Sequence, residues 1–489
     1  MSFELETASD RAGLRRVAID PVSRVEGHGK VTLLIDDAGD VQEARLHIVE
    51  FRGFEVFIQG RPYWEVPVMV QRLCGICPVS HHLAASKALD RVLGVPRLTP
   101  SADKLRRLMH YGQILQSHAL HFFYLASPDL LFGFGSELGR RNIVGVAAAE
   151  PDVARRGIGL RRFGQQVIEA TAGKRIHGTG AVPGGVNRHL AGADRQRLAG
   201  ESATIVAWAR DAVQLVRRLH ESDPTLYDSF GREPSALMSL VRPGDGALEL
   251  YDGVLRLRDA DGRIELDGVG DQDYRRIISE EVKPWSYMKF PYMTHLGPER
   301  GWYKVGPLAR VQNCEFIPTP LAEAERRAFR DYAGGAIQHG PLAYHWTRMI
   351  EMLHAAELID QMLEDPDLVA GERMADGERG HDGVGIIEAP RGTLIHHYTV
   401  DDDDLVEWCN LIVSTTHNNQ AMNAAVRRVA REHLSGRPID EGLLNHVEVA
   451  IRAFDPCLSC ATHALGRMPL VIECVTADGR PLQTLVRDS

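Results

Sequence analysis

Two C-x-x-C pairs, Cys74/Cys77 and Cys457/Cys460, stand near opposite ends of a 489-residue chain. A C-x-x-C pair presents two sulfurs to one ion without straining the backbone, and two pairs close a soft-metal cage. If one centre takes all four thiolates, the two ends of the chain meet, and the fold is one interwoven unit rather than a string of domains. A structural zinc site is the plain alternative. Zinc ribbons, however, separate their pairs by about 15–20 residues because the metal replaces a missing core. Here almost the whole chain intervenes, and 44% of its residues are hydrophobic, enough for a core without metal. The flanking residues Arg72, His81, Asp455 and His463 are not those of a zinc turn either. The spacing therefore favours a redox or catalytic metal.

A formal net charge of −10 argues against nucleic acid as a partner. No run of eighteen apolar residues is present, so no membrane span is expected, and the charged segment Met1–Arg16 lacks a signal-peptide core. A cytoplasmic protein is expected. Cys314, Cys409 and Cys474 have no partner motif and read as small apolar residues. The glycine-dense stretch from Gly178 to Gly185 meets neither phosphate-loop nor dinucleotide spacing. No run of cysteines for several iron–sulfur clusters occurs, nor any internal repeat.

Val31–Ile35 and Val41–Ile48 alternate around Asp36–Asp40 and predict a hairpin. Asp20–Gly29, just before it, reads as a polar loop containing Glu26. Trp64 to Leu93 carries the first cysteine pair into helical spacing, broken at Pro67 and Pro78, which puts Cys77 at the start of a new helix. Thr99-Pro100 predicts an N-cap and a long buried helix through Phe123. Its His118 and His121 read as core histidines bonded to backbone. Further helices are predicted over Asp152–Ala172, Ala193–His220, Pro341–Leu363, Leu405–Leu434 and Asp440–Phe454. A strand pair is predicted within Leu248–Leu266, a flexible loop over Gly371–Gly385, a strand over Thr393–Val400, and a solvated, helix-capping turn at Asp401–Asp404.

Arg72-x-Cys74-Gly75-x-Cys77-x-x-x-His81 and Asp455-Pro456-Cys457-x-x-Cys460-x-x-His463 resemble the two signature motifs of the large subunit of nickel–iron hydrogenases. The resemblance runs through Asp20–His28, Arg52–Glu55, Val182–Gly185 and Glu388–Gly392. Val49–Glu55, Trp285–Pro291 and His463–Leu470 resemble the cytoplasmic, NAD-reducing, bidirectional branch. The resemblance implies an α+β, mainly α fold, with a central bundle of long helices and peripheral antiparallel sheets. Residues 1–463 would form one domain, and 464–489 an extension removed on maturation.

It further implies heterolytic cleavage of H2 at a nickel–iron centre. Cys74 and Cys457 would be terminal ligands of nickel, and Cys77 and Cys460 would bridge nickel to an iron carrying CO and CN ligands. The proton would pass from Cys457 to Glu26, a buried carboxyl. Arg391, with Pro390 beside it and Asp455 holding it, would cover the iron and serve as a second base. Thr415 would offer a cyanide another hydrogen bond, and His81 would hydrogen-bond a bridging thiolate and tune it. Glu55 and His463 would bind magnesium with a carbonyl and waters.

Ser117 stands where many membrane-linked relatives carry an aspartate, which implies a weaker hold on Arg391. The tail after His463 would be cut by a C-terminal endopeptidase after maturation proteins insert the metals. Its stretch from Met468 to Val486 reads as strand–turn–strand about Asp478-Gly479, and an uncut tail is expected to keep the cysteine pairs apart.

Electrons would leave through a small subunit with an iron–sulfur cluster and a diaphorase module carrying FMN and reducing NAD+, in a heteromultimer acting as a hydrogen:NAD+ oxidoreductase. The alternatives are coupling to NADP or another low-potential carrier, a zinc-stapled scaffold, and a quinone-site subunit related to respiratory complex I, which lacks the four cysteines.

Overall fold

The computed structural model describes residues 13–463 and the backbone of the strands Leu470–Val475 and Pro481–Arg487. The chain opens with an antiparallel sheet of β1 (Arg15–Ile19), β2 (Gly29–Ile35) and β3 (Val41–Ile48). The predicted hairpin is present with Val31 opposite Leu46 and Leu33 opposite Ala44. Its turn closes through the Asp36 carboxylate, which accepts from the Asp40 N–H at 2.8 Å. The side chains Val31, Leu33, Ile35, Leu46 and Ile48 on one face are buried, and Thr32, Leu34 and His47 on the other face are covered as well.

Among the described residues, five long helices make the centre. The helix α1 (Pro78–Val92) starts at Cys77, as the proline after it predicts. Ahead of it the Trp64–Leu93 stretch is a series of short turns rather than a continuous helix. Next, α2 (Pro100–Leu120) is capped by Thr99, whose hydroxyl accepts from Ala102 N–H at 3.2 Å, and it is buried over most of its length. It packs against α3 (Pro151–Ala172) where Gly112 meets Gly164. A Cβ on Gly164 would lie 2.7 Å from the Gly112 carbonyl, so only hydrogen at both sites allows the helices to approach this closely. The bundle is completed by α4 (Gly192–Ser222) and the later α5 (Ala343–Met362).

Between them lies a small sheet of β4 (Ala236–Val241), β5 (Val254–Arg258) and β6 (Ile264–Val269), with Tyr303–Lys304 added in parallel to β4. The predicted strand pair is β5–β6; β4 was not anticipated.

A second sheet, β7 (Asp382–Ala389), β8 (Gly392–Val400) and β9 (Val406–Ile412), lies against α1 and is buried along β7 and β8. This corrects three expectations. Leu405–Leu434 is not one helix: Val406–Ile412 pairs with β8, and only α6 (Asn419–Leu434) is a long helix. Val406, Trp408 and the β-branched Ile412 suit a pleated surface, and pairing with β8 outweighs the helical period read across them. The loop expected through Gly385 is already strand from Asp382. Asp401–Asp404 turns the chain from β8 to β9, its Asp401 carboxylate accepting from Asp403 and Leu405 N–H, and caps no helix. The last helix, α7 (Glu441–Ala453), is capped by Asp440 through Leu443 N–H at 2.8 Å.

Leu470–Val475 and Pro481–Arg487 pair antiparallel, as the tail's pattern predicts. The turn at Asp478-Gly479 and the Cys474 side chain lie outside the described residues. Among the described residues no helix is long and apolar enough to cross a membrane.

Candidate metal centre

The segment after α7 and the polar loop before β2 meet as a short parallel bridge between Glu26 and Cys457. Leu458 N–H donates to the Glu26 carbonyl at 3.0 Å, and Cys457 N–H donates to Thr415 Oγ1 at 2.9 Å. Gly27, at φ +82°, allows this contact, since a Cβ there would sit 2.6 Å from Ser459 N. These bonds pin the second cysteine pair from upstream. The four Sγ atoms of Cys74, Cys77, Cys457 and Cys460 therefore lie within 4.8 Å of one another, all buried and all free thiols. The expectation that an uncut tail separates the pairs is corrected: the chain that carries the tail already closes the cage.

The Sγ of Cys457 lies 3.2 Å from Cys74 and 2.8 Å from Cys460, and Cys77 lies 3.8 Å from Cys460. At such separations four buried charges cannot coexist without a cation. Burial pushes the Cys74 thiol up, but hydrogen bonds from Cys457, Cys460 and Cys77 outweigh it and hold it well below the usual value. Backbone N–H groups of Ile76 and Cys77 also donate to its sulfur, at 3.2 and 3.3 Å. Cys77 falls to about 6, chiefly through Cys457 and then Cys460. Burial first, then the neighbouring thiols, hold Cys457 well above the ordinary thiol range, and burial does the same for Cys460 against the pull of Cys457. The shifts thus run downward for the first pair and upward for the second.

Glu26 Oε2 receives Cys457 Sγ at 3.0 Å and Ser459 N–H at 3.2 Å. Its side chain is half-buried rather than fully enclosed as the resemblance implied. On the other side of the cage, Cys77, Ser80, His81, Pro390, Arg391, Thr415 and Cys457 share a small, mostly apolar cavity. Arg391 sits on the β7–β8 turn. Its Nε donates to the Asp455 carbonyl at 2.7 Å and its Nη2 to Asp455 Oδ1 at 3.0 Å. Burial raises Asp455 to about 6, against the pull of Arg391 and Arg348. Burial opposes the Arg391 charge, yet Asp455 and the thiolates keep it well above its ordinary value. Among the described residues Arg391 Nη1 and Asp455 Oδ2 are buried without a partner, as is the Ser117 hydroxyl. The Asp455 pair thus supplies two bonds to Arg391 that do not depend on position 117.

The turn bearing Arg391 is held from behind by Arg310, which was not anticipated. Arg310 Nη1 donates to Glu388 Oε2 at 2.7 Å and to the Ala389 carbonyl at 2.9 Å, and Nε donates to Glu351 Oε2 at 2.6 Å. His118 meets Glu351 Oε1 at 2.8 Å, so its partner is a carboxylate and not backbone; His121 Nε2 does meet a backbone carbonyl, that of Arg452. Arg310→Met strands two buried carboxylates and is expected to cost about 3–5 kcal/mol of stability. Denaturant unfolding of the variant checks this, and replacing Glu351 and Glu388 by apolar residues as well should recover part of the loss.

Glu55 and His463 flank a second polar region. Both Glu55 oxygens accept from Lys289 Nζ, at 3.1 and 3.3 Å, and Leu411 N–H donates to Oε1 at 2.9 Å. Burial raises Glu55, with Lys289 opposing. Glu280 and Asn410 join Lys289 there. Burial lowers His463 to about 3, and among the described residues neither ring nitrogen has a hydrogen-bond partner. Buried oxygen donors and an orphaned imidazole suit a hard cation completed by a carbonyl and waters. The open donors of Arg391 and the four soft sulfurs likewise suit a nickel–iron group with small polar ligands.

The profile of the nickel-dependent hydrogenases matches residues 52–131 and 266–463, and one described as HoxL-like matches residues 16–51. The NAD-reducing hydrogenase HoxS subunit beta of Cupriavidus necator is 46% identical over 97% of this chain and 100% of its own length. The matching chain of the F420-non-reducing hydrogenase of Methanothermobacter marburgensis is 40% identical over 92% of this chain and 95% of its own. A crystal structure of an NAD+-reducing [NiFe]-hydrogenase in the H2-reduced state superposes with a TM-score of 0.90 at 60% identity, covering 92% of this chain and 99% of that one. The Ni-Fe-Se hydrogenase of D. vulgaris Hildenborough shares the fold, with a TM-score of 0.74 at 23% identity over 92% and 100% of the two chains.

Proposed function

Since the chain belongs to the nickel-dependent hydrogenases as a large subunit, we propose that it cleaves H2 reversibly at a nickel–iron centre and passes the electrons to partner subunits that reduce NAD+. The observation that carries this reading is the convergence of four buried sulfurs from both chain ends with a carboxylate, Glu26, 3.0 Å from one of them. When bound, a thiolate-bridged nickel–iron pair supplies the redox-active Lewis acid across which H2 is polarised. In this reading Cys74 and Cys457 would hold the nickel, and Cys77 and Cys460 would hold nickel and iron.

Cys457 takes the proton and Glu26 Oε2 receives it, while Ser459 N–H keeps that carboxylate turned to the sulfur. Arg391, fixed by Asp455, would offer Nη1 to a cyanide of such a group, and Thr415 would offer its hydroxyl beside Pro390. Glu55 and His463 would hold magnesium, which would anchor the segment after the second cysteine pair.

The partners in this proposal are a small subunit with an iron–sulfur cluster and flavin- and NAD-binding diaphorase subunits, in the cytoplasm, with residues 464–489 removed by an endopeptidase after metal insertion. Likeness to the F420-non-reducing enzymes supports a second reading in which another low-potential carrier takes the electrons; the subunits that copurify decide between them. The complex is expected to contain nickel and iron near one each beyond the cluster iron, with infrared bands from CO and CN. A lone zinc and no such bands would defeat the proposal.

A further inference from the structure

Behind the cavity shared by Cys77 and His81 runs a fully buried chain of three side chains. His81 Nδ1 lies 3.1 Å from His396 Nε2, and His396 Nδ1 lies 2.6 Å from Tyr398 Oη. All three residues are at most 1% exposed. The direction of this chain follows from what each atom can do. Tyr398 Oη has His396 as its partner among the described residues. If it accepted from His396, its own O–H would be buried without an acceptor, which is costly. Tyr398 therefore donates to His396 Nδ1. With Nδ1 engaged as that acceptor, the ring proton of His396 is on Nε2 and is donated to His81 Nδ1. That leaves His81 with its proton on Nε2.

We infer that Tyr398 and His396 are positioning residues that fix the tautomer of His81, so that His81 presents an N–H, not a lone pair, to the cavity it shares with the Cys77 sulfur. The inference rests on the nickel–iron reading. It goes further in explaining how His81 acts there as a donor: a donor toward a bridging thiolate would withdraw charge from the metals, whereas a lone pair would repel the sulfur.

The test uses the purified complex with Tyr398→Phe, His396→Leu and His396→Gln, reading the carbonyl infrared band together with nickel and iron content. Tyr398→Phe and His396→Leu are expected to retain metal and to move the band to lower wavenumber, because a thiolate that loses its donor places more charge on the iron. His396→Gln can still accept from Tyr398 and donate to His81, and should keep the wild-type band. An unmoved band in metal-loaded Tyr398→Phe overturns the inference, as does a shift in His396→Gln equal to that in His396→Leu. A wild-type complex without a carbonyl band would instead overturn the nickel–iron reading beneath it.

Discussion

Glu26→Gln is expected to lower H2 oxidation by about 10²- to 10⁴-fold while leaving nickel and iron content and the carbonyl band in place. The two halves of this expectation have separate causes. Glutamine fills the same volume, and its oxygen can still accept from Ser459 N–H, which now reaches Glu26 Oε2 at 3.2 Å. The backbone bridge from the Glu26 carbonyl to Leu458 N–H does not involve the side chain, so the cysteine cage stays closed. What is lost is the only property the amide lacks, the capacity to take a proton from the sulfur 3.0 Å away. Glu26→Asp draws the carboxylate back by about one bond and needs a bridging water to reach Cys457, so intermediate turnover is expected. Full activity in Glu26→Gln would remove Glu26 from the proton route. Loss of metal in the same variant would make it a structural support of the cage.

The sulfur cage was legible because its signal is local: each C-x-x-C pair presents two ligands whatever the chain between them does, and two such pairs imply their own meeting. The first hairpin and the α2 cap were legible for the same reason, with alternation, turn acids and a Thr-Pro pair lying within a few residues of each other. The carboxylate and guanidinium supports were harder. Nothing in the sequence pairs Arg310 with Glu351 and Glu388, and their mutual burial exists only because three distant elements converge. Family likeness pointed to Arg391 and Asp455, whereas nothing in the spacing of His396 and Tyr398 marks them as partners of His81. The β9 strand failed for a related reason. Its pairing with β8 is a long-range bond pattern that a helical reading of Leu405–Leu434 does not contain.

Acid should unfold this protein well before its carboxylates are exhausted, because its core is stocked with neutral histidines. Burial is the leading cause in each case: it lowers His82, His110, His118 and His354 to about 4 and His417 to about 3. In the unfolded chain the same side chains titrate near 6.5. Above that pH neither state binds the protons and stability is complete. As the pH falls from about 6.5 toward 4, the unfolded chain takes up protons that the folded chain refuses, so stability is lost through that window. Each such histidine contributes about 1.4 kcal/mol per pH unit. Five acting together offset a total stability of about 5–15 kcal/mol within roughly two units. Near-UV circular dichroism is therefore expected to collapse between about pH 6 and 4.5. His110→Gln keeps a donor for the Leu250 carbonyl, now 3.0 Å from His110 Nε2, but cannot titrate, and should move the midpoint downward. A native spectrum persisting at pH 4 would mean that these rings are hydrated or paired in ways their burial does not reveal.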